Sequence, residues 1–152
     1  MAKKYHSISD IKLAVIGGDV RQLWLARALA EDGYEVAVCG AGGNMGGEDI
    51  LGKAVRCISP EDALHMCDAA ILPLPYTTDG RRVNCPLGGD ILLSEIFGEV
   101  PAGTLVLAGR VDEAAREMAA KAGLKIEDYY DREDVCIENA IPTAEGAAAV
   151  AM

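Results

Sequence analysis

Residues 13–29 constrain the fold of this chain more than any other stretch. Leu13-Ala14-Val15-Ile16 is an apolar, β-branched run that predicts a buried strand. Gly17-Gly18-Asp19-Val20-Arg21-Gln22 follows at once, and Leu23-Trp24-Leu25-Ala26-Arg27-Ala28-Leu29 continues with helical spacing. A buried strand that passes through a glycine turn into a helix is the opening of a dinucleotide-binding βαβ unit. The chemistry departs from that architecture. The fingerprint needs G-x-G-x-x-G: a glycine for the turn, one for pyrophosphate approach and one for close helix packing. Gln22 stands where the third glycine belongs, and Asp19 puts a carboxylate where an incoming phosphate would sit.

The rest of the chain repeats the strand–helix rhythm. A helix is predicted over about Val20 to Glu31, stopped by Asp32-Gly33, and Tyr34 to Cys39 reads as the second strand. A glycine-dense loop, Gly40 to Gly47, precedes a short third strand at Ala54–Ile58. Ser59-Pro60-Glu61-Asp62 is an N-cap followed by proline and acids in the first turn. Ala69–Leu72 is the fourth strand, ending at Pro73-Leu74-Pro75, and a polar loop covers Tyr76 to Gly89. Asp90 is expected to cap a helix over Ile91–Phe97. Thr104–Ala108 is strand five, Gly109 to Asp112 opens another helix, and Leu124–Ile126 is the last strand. The expected fold is α/β: a doubly wound, mostly parallel sheet of five to six strands, Rossmann-like or flavodoxin-like.

Residues 1–140 are read as that domain. Asp131 to Ala140 reads as helical, and Ile141-Pro142-Thr143 begins a last segment, 141–152. The run Ala147-Ala148-Ala149-Val150-Ala151-Met152 has no cap and almost no polar face, so it is expected to start a hinge helix in a longer chain.

Composition narrows the function. At 152 residues one domain is expected, large enough to bury roughly 70% of its unfolded surface. A net charge of −10, with Lys and Arg scattered, argues against nucleic acid. No apolar run reaches the roughly 20 residues of a membrane span. Met1 to His6 leads into Ser9-Asp10 rather than a secretory apolar segment. The five cysteines, Cys39, Cys57, Cys67, Cys85 and Cys136, form no C-x-x-C pair, which speaks against a disulfide framework or zinc site. A cytoplasmic protein is expected.

Ligands of doubly wound sheets bind beyond the carboxyl ends of the strands. Arg21 and Arg110 lie in turns at that edge and could fork onto a small carboxylate. Gly18, Asp19 and Gln22 share the first of those turns, and Pro75 follows strand four. Asp19 can either bind a ligand or cap its helix. Strand two ends Val38-Cys39-Gly40-Ala41 and lacks the acid that would hold an adenosine ribose. Gly40 to Gly47 can be a phosphate nest or simply a loop. His6 and His65 are the only imidazoles, and neither suits a general base. Asn139, Thr143 and Glu145 gather around Pro142, either as surface polar groups or turned into a cleft.

With these stretches read, the chain resembles the N-terminal domain of the dipicolinate synthase A-subunit family. The segments that carry the likeness are A-V-I-G-G-D-V-R-Q from Ala14, L-P-L-P from Leu72, and D-R-E-D-V-C-I-E-N-A-I-P-T-A-E-G-A from Asp131. The resemblance implies the substrate-side domain of a two-domain enzyme, akin to that of 2-hydroxyacid and alanine dehydrogenases. It implies no cofactor in this chain, with NADP held by the second half, and a small dicarboxylate substrate. It further implies a partner, the B-subunit of dipicolinate synthase. The role it implies is forming dipicolinate from a dihydrodipicolinate-pathway intermediate in the mother cell during sporulation. Arg21 with the amides of Gly18 and Asp19 would hold a carboxylate, while Asn139, Thr143 and Glu145 would line the interdomain cleft. A stand-alone Rossmann-like module for a nucleotide or small metabolite is the competing expectation, and self-association is left open.

Overall fold

Alternation of apolar side chains decides how the sheet is covered. In the computed structural model, which describes residues 4–41 and 50–131, β1 is Lys12–Ile16, β2 Glu35–Cys39 and β3 Val55–Arg56. β4 is Ala69–Ile71, β5 Leu105–Ala108 and β6 Lys125–Asp128. Successive strand residues point to opposite faces. Leu13, Val15, Val36, Val38, Ala69 and Ile71 therefore enter one core, and Ala14, Ile16, Ala37, Cys39, Ala70 and Val106 enter the other. Helix α1 (Val20–Glu31) covers the first face with Leu23, Ala26 and Ala30. Helices α2 (Pro60–Leu64), α3 (Leu93–Glu99) and α4 (Glu113–Lys121) cover the second, through Leu64, Ile96 and Ala115 among others.

The strand order is β3-β2-β1-β4-β5-β6, and every neighbouring pair is parallel. That is the Rossmann order rather than the flavodoxin one. Its reversal lies between β1 and β4, paired through Leu13↔Ala69 and Val15↔Ile71. Chain leaving β1 turns to one side, and chain leaving β4 to the other, so a crevice opens beyond Ile16 and Ile71.

Three helix starts obey the local chemistry. Asp19 accepts the Arg21 N–H at 2.9 Å, Ser59 the Asp62 N–H at 3.2 Å, and Asp112 the Ala115 N–H at 2.9 Å. The helix expected at Ile91–Phe97 instead begins at Leu93. Ile91 is buried and its carbonyl accepts the Val83 N–H, while Asp90 is drawn off to Arg82 Nε at 2.6 Å. Glu95 takes the capping role, accepting the Leu92 N–H at 3.2 Å. β6 runs further than expected, to Asp128, because pairing with β5 extends from Leu105↔Lys125 to Ala108↔Asp128. The segments expected as helical beyond Asp131 lie outside the described residues.

Ile96 is fully buried beneath the sheet. Ile96→Ala is expected to lower stability by about 3 kcal/mol, read as a lower urea midpoint with an unchanged slope.

Candidate functional site

At the β1 turn the backbone swings into the left-handed region, with φ of 69° at Gly17 and 84° at Gly18. The Gly17 N–H donates to Cys39 O at 2.8 Å, tying the turn to the end of β2. The loop between β4 and α3 then folds back over it. Val83 N–H donates to Ile91 O, Asn84 N–H to Tyr76 O, and Arg82 bridges Leu92 in antiparallel fashion. This brings the Asn84 carbonyl to the Gly18 N–H at 2.8 Å. A Cβ on Gly17 would lie 2.5 Å from Val83 Cγ1, and one on Gly40 would lie 2.6 Å from Ile91 Cδ1. The glycines that suggested close approach of a pyrophosphate thus admit the protein's own loop.

The residues at this turn do not fit a dinucleotide. Val83 and Cys85 fill the space above Gly17, the Gly18 amide is already bonded, and β2 ends at Cys39 with no acid for a ribose. The Asp19 carboxylate itself occupies the helix N-terminus.

Beside this plug a cavity of about 210 Å³ remains at the switch point. Gly18, Asp19, Arg21 and Gln22 form one side, Pro73 and Leu74 the second, Asn84 and Pro86 the third, and Tyr129 closes it from beyond β6. Pockets for drug-sized ligands run to roughly 300–1,000 Å³, so this one suits a small metabolite.

Asp19 and Arg21 form a local pair. Arg21 Nε lies 3.0 and 3.1 Å from the two Asp19 oxygens, and Nη2 lies 2.9 Å from Oδ2. The Arg21 hydrogen bond, outweighing partial burial, holds the Asp19 carboxyl below the usual aspartate range, and the same bond raises Arg21. The pair grips one edge of the guanidinium. No hydrogen bond from Nη1 is present among the described residues, and the Arg21 side chain is 71% exposed at the mouth of the cavity. Tyr129 donates its hydroxyl to Leu72 O at 2.9 Å. Burial, and then the Asp128 charge, push its phenol up to about 12 against the opposing pull of Arg21, so it stays neutral at ordinary pH.

The residues expected at the site fare differently. Gly18, Asp19, Arg21 and Gln22 come together. The Gly18 amide, expected to hold a carboxylate, is instead consumed by Asn84 O. Pro75 does not line the cavity; its carbonyl accepts Asn84 Nδ2 at 3.1 Å and so braces that wall. Arg110 is not brought there either. Its backbone sits at φ 61°, its N–H donates to Asp128 Oδ1, and its guanidinium lies 5.5 Å over the Tyr130 ring. Asn139, Thr143 and Glu145 lie outside the described residues. Asn84, Pro86 and Tyr129 line the cavity beyond the expected set.

His6 and His65 are both exposed, and no set of three or more metal-binding side chains is grouped among the described residues. No described helix is long and apolar enough to cross a membrane.

Residues 12–130 match the family model for the N-terminal domain of the dipicolinate synthase A-subunit. This chain belongs to that family. The dipicolinate synthase A-subunit of Bacillus subtilis (strain 168) is 30% identical over 147 residues, which is 95% of this chain and 48% of the relative. The crystal structure of the Bacillus subtilis dipicolinate synthase A chain superposes with a TM-score of 0.75, covering 93% of this chain and 47% of that one. The dipicolinate synthase A-subunit from Bacillus halodurans, 24% identical, also gives 0.75 over 95% of this chain and 49% of its own. The fold extends to D-lactate dehydrogenase from Aquifex aeolicus, solved with NAD and lactic acid, at 19% identity and a TM-score of 0.53 over 90% and 40% of the two chains. The chain spans about half the length of the dipicolinate synthase relatives it matches.

Two outcomes follow for the turn. Gly17→Ala is expected to cost about 2 kcal/mol, through both positive φ and the Val83 contact, seen as a lower thermal midpoint. Asp19, with its lowered carboxyl pKa, contributes stability that is complete above the ordinary value of 3.8 and is lost as pH falls through its folded value. Asp19→Asn should therefore lower the neutral plateau of a stability–pH curve, flatten its acid limb and converge with wild type at acid pH.

Proposed function

We propose that this chain is the substrate-side domain of a dipicolinate synthase A-subunit, and that its switch-point cleft binds a small dicarboxylate through Arg21. The observation that carries the reading is the half-held guanidinium. Asp19 fixes Arg21 by its Nε edge, and Nη1 has no hydrogen bond among the described residues on a largely exposed side chain that lines a cavity too small for a nucleotide. A guanidinium oriented this way meets a carboxylate with little entropy left to lose. Pro73, Leu74 and the neutral Tyr129 supply apolar walls that shed water around the pair and strengthen it.

The wider role follows the family. The A-subunit would work with the B-subunit to form dipicolinate from a dihydrodipicolinate-pathway intermediate, in the cytoplasm of the mother cell during sporulation. NADP would be held by the half of the A-subunit relatives that this chain does not span, because the turn after β1 does not fit it.

Calorimetry tests this reading. Pyridine-2,6-dicarboxylate, the compound in the family's name, is expected to bind this chain, and Arg21→Met to weaken that binding about tenfold or more. NAD, NADP and FMN are expected to give no binding heat, and substrate mixed with NADP no turnover. Micromolar binding of any of the three would instead favour the self-sufficient nucleotide module.

A further inference from the structure

Several hydrogen-bond donors that line the cleft are already committed inside the protein. The Gly18 N–H goes to Asn84 O, the Arg21 N–H to Asp19 Oδ1, and the Gln22 N–H to Asp19 O. Asn84 Nδ2 is spent on Pro75 O and the Tyr129 hydroxyl on Leu72 O. Among the described side chains that line the cleft, the buried donor left without a partner is the amide of Gln22. That residue is only 8% exposed, and its Nε2 is buried with no hydrogen-bond partner among the described residues. A buried amide donor without an acceptor opposes folding. An apolar side chain of similar length would fill the place without that cost.

The chain is nevertheless built to hold the amide there. The Gln22 stem crosses directly over Gly18, where any Cβ would run into its Cγ. The absent side chain at Gly18 thus makes room for Gln22 rather than for a phosphate. Arg21 stands at the rim and Gln22 on the floor, on adjacent residues of the first turn of a 12-residue helix.

We infer that Gln22 is the specificity-determining residue of the cleft, its buried amide donating to a second oxygen acceptor of an acid whose carboxylate is held by Arg21. This rests on the dicarboxylate reading of the cleft and adds the residue that reads the ligand's other end, a second carboxylate or carbonyl oxygen. A monocarboxylate of the same ring would satisfy Arg21 and leave Gln22 unmet, and a site that hydrogen-bonds its ligand discriminates against the analogue lacking the acceptor.

The test compares pyridine-2,6-dicarboxylate with pyridine-2-carboxylate by calorimetry on this chain, alongside melting curves. Wild type should prefer the dicarboxylate about tenfold. Gln22→Met should bind the two acids alike while melting about 3 °C higher without ligand, because the uncompensated amide is gone. A merely structural glutamine would give the opposite sign in the melt. A Gln22→Met variant that keeps the preference, or that melts no higher than wild type, overturns the inference. Arg21→Met should weaken both acids equally. Wild-type affinities in that variant would sink the rim assignment and leave the Gln22 comparison standing. Failure of wild type to bind either acid would overturn both.

Discussion

The interaction on which the cleft depends is the crossing of two backbones, where the Gly18 N–H meets the Asn84 carbonyl beneath Val83. It requires a residue without a side chain at Gly17 and positive φ at both Gly17 and Gly18, and the glycine pair meets that demand. One crossing closes the route by which a pyrophosphate reaches the helix N-terminus in dinucleotide-binding relatives of the fold. It also delivers Asn84 and Pro86 to the wall of the smaller cavity. The same strand–turn–helix unit is thereby turned from a phosphate site into the edge of a pocket for something smaller.

Asp19 completes that change. Where a phosphate would neutralise the first turn of α1, the chain supplies its own carboxylate and then balances it with Arg21 two residues on. The helix terminus is satisfied internally, and its positive end no longer needs a ligand. On the reading proposed above, a ligand there would meet a guanidinium held by Asp19.

Much of the fold was legible because it is local. The limits of α1 follow from Asp19 at one end and Asp32-Gly33 at the other, and the caps at Ser59 and Asp112 fall where their side chains find amides three residues ahead. The start of α3 was not legible, since Asp90 looks like a cap until Arg82, eight residues earlier, takes its carboxylate. The site divides along the same line. Arg21 and Arg110 look equivalent by the rule of strand carboxyl ends, and only tertiary packing sends the second onto Tyr130. Asn84 and Pro86 sit in a loop without periodicity, so nothing local marks them. Tyr129 could have been flagged, because it follows the last strand at the same edge of the sheet.

The loop that forms the cleft wall is anchored at its base as well. Tyr76, 2% exposed, donates its hydroxyl to Asp112 Oδ1 at 2.8 Å, and the same oxygen accepts the Ala115 N–H that begins α4. Burial and the neighbouring Asp112 carboxylate raise the Tyr76 phenol, so the proton stays in place at any ordinary pH. One carboxylate oxygen thus fastens both a pocket wall and a helix cap. Swinging the wall outward would pull on the first turn of α4, so the loop is not an independent flap. The cleft is preorganised: its shape is set when the second half of the sheet folds, and a ligand finds it already made.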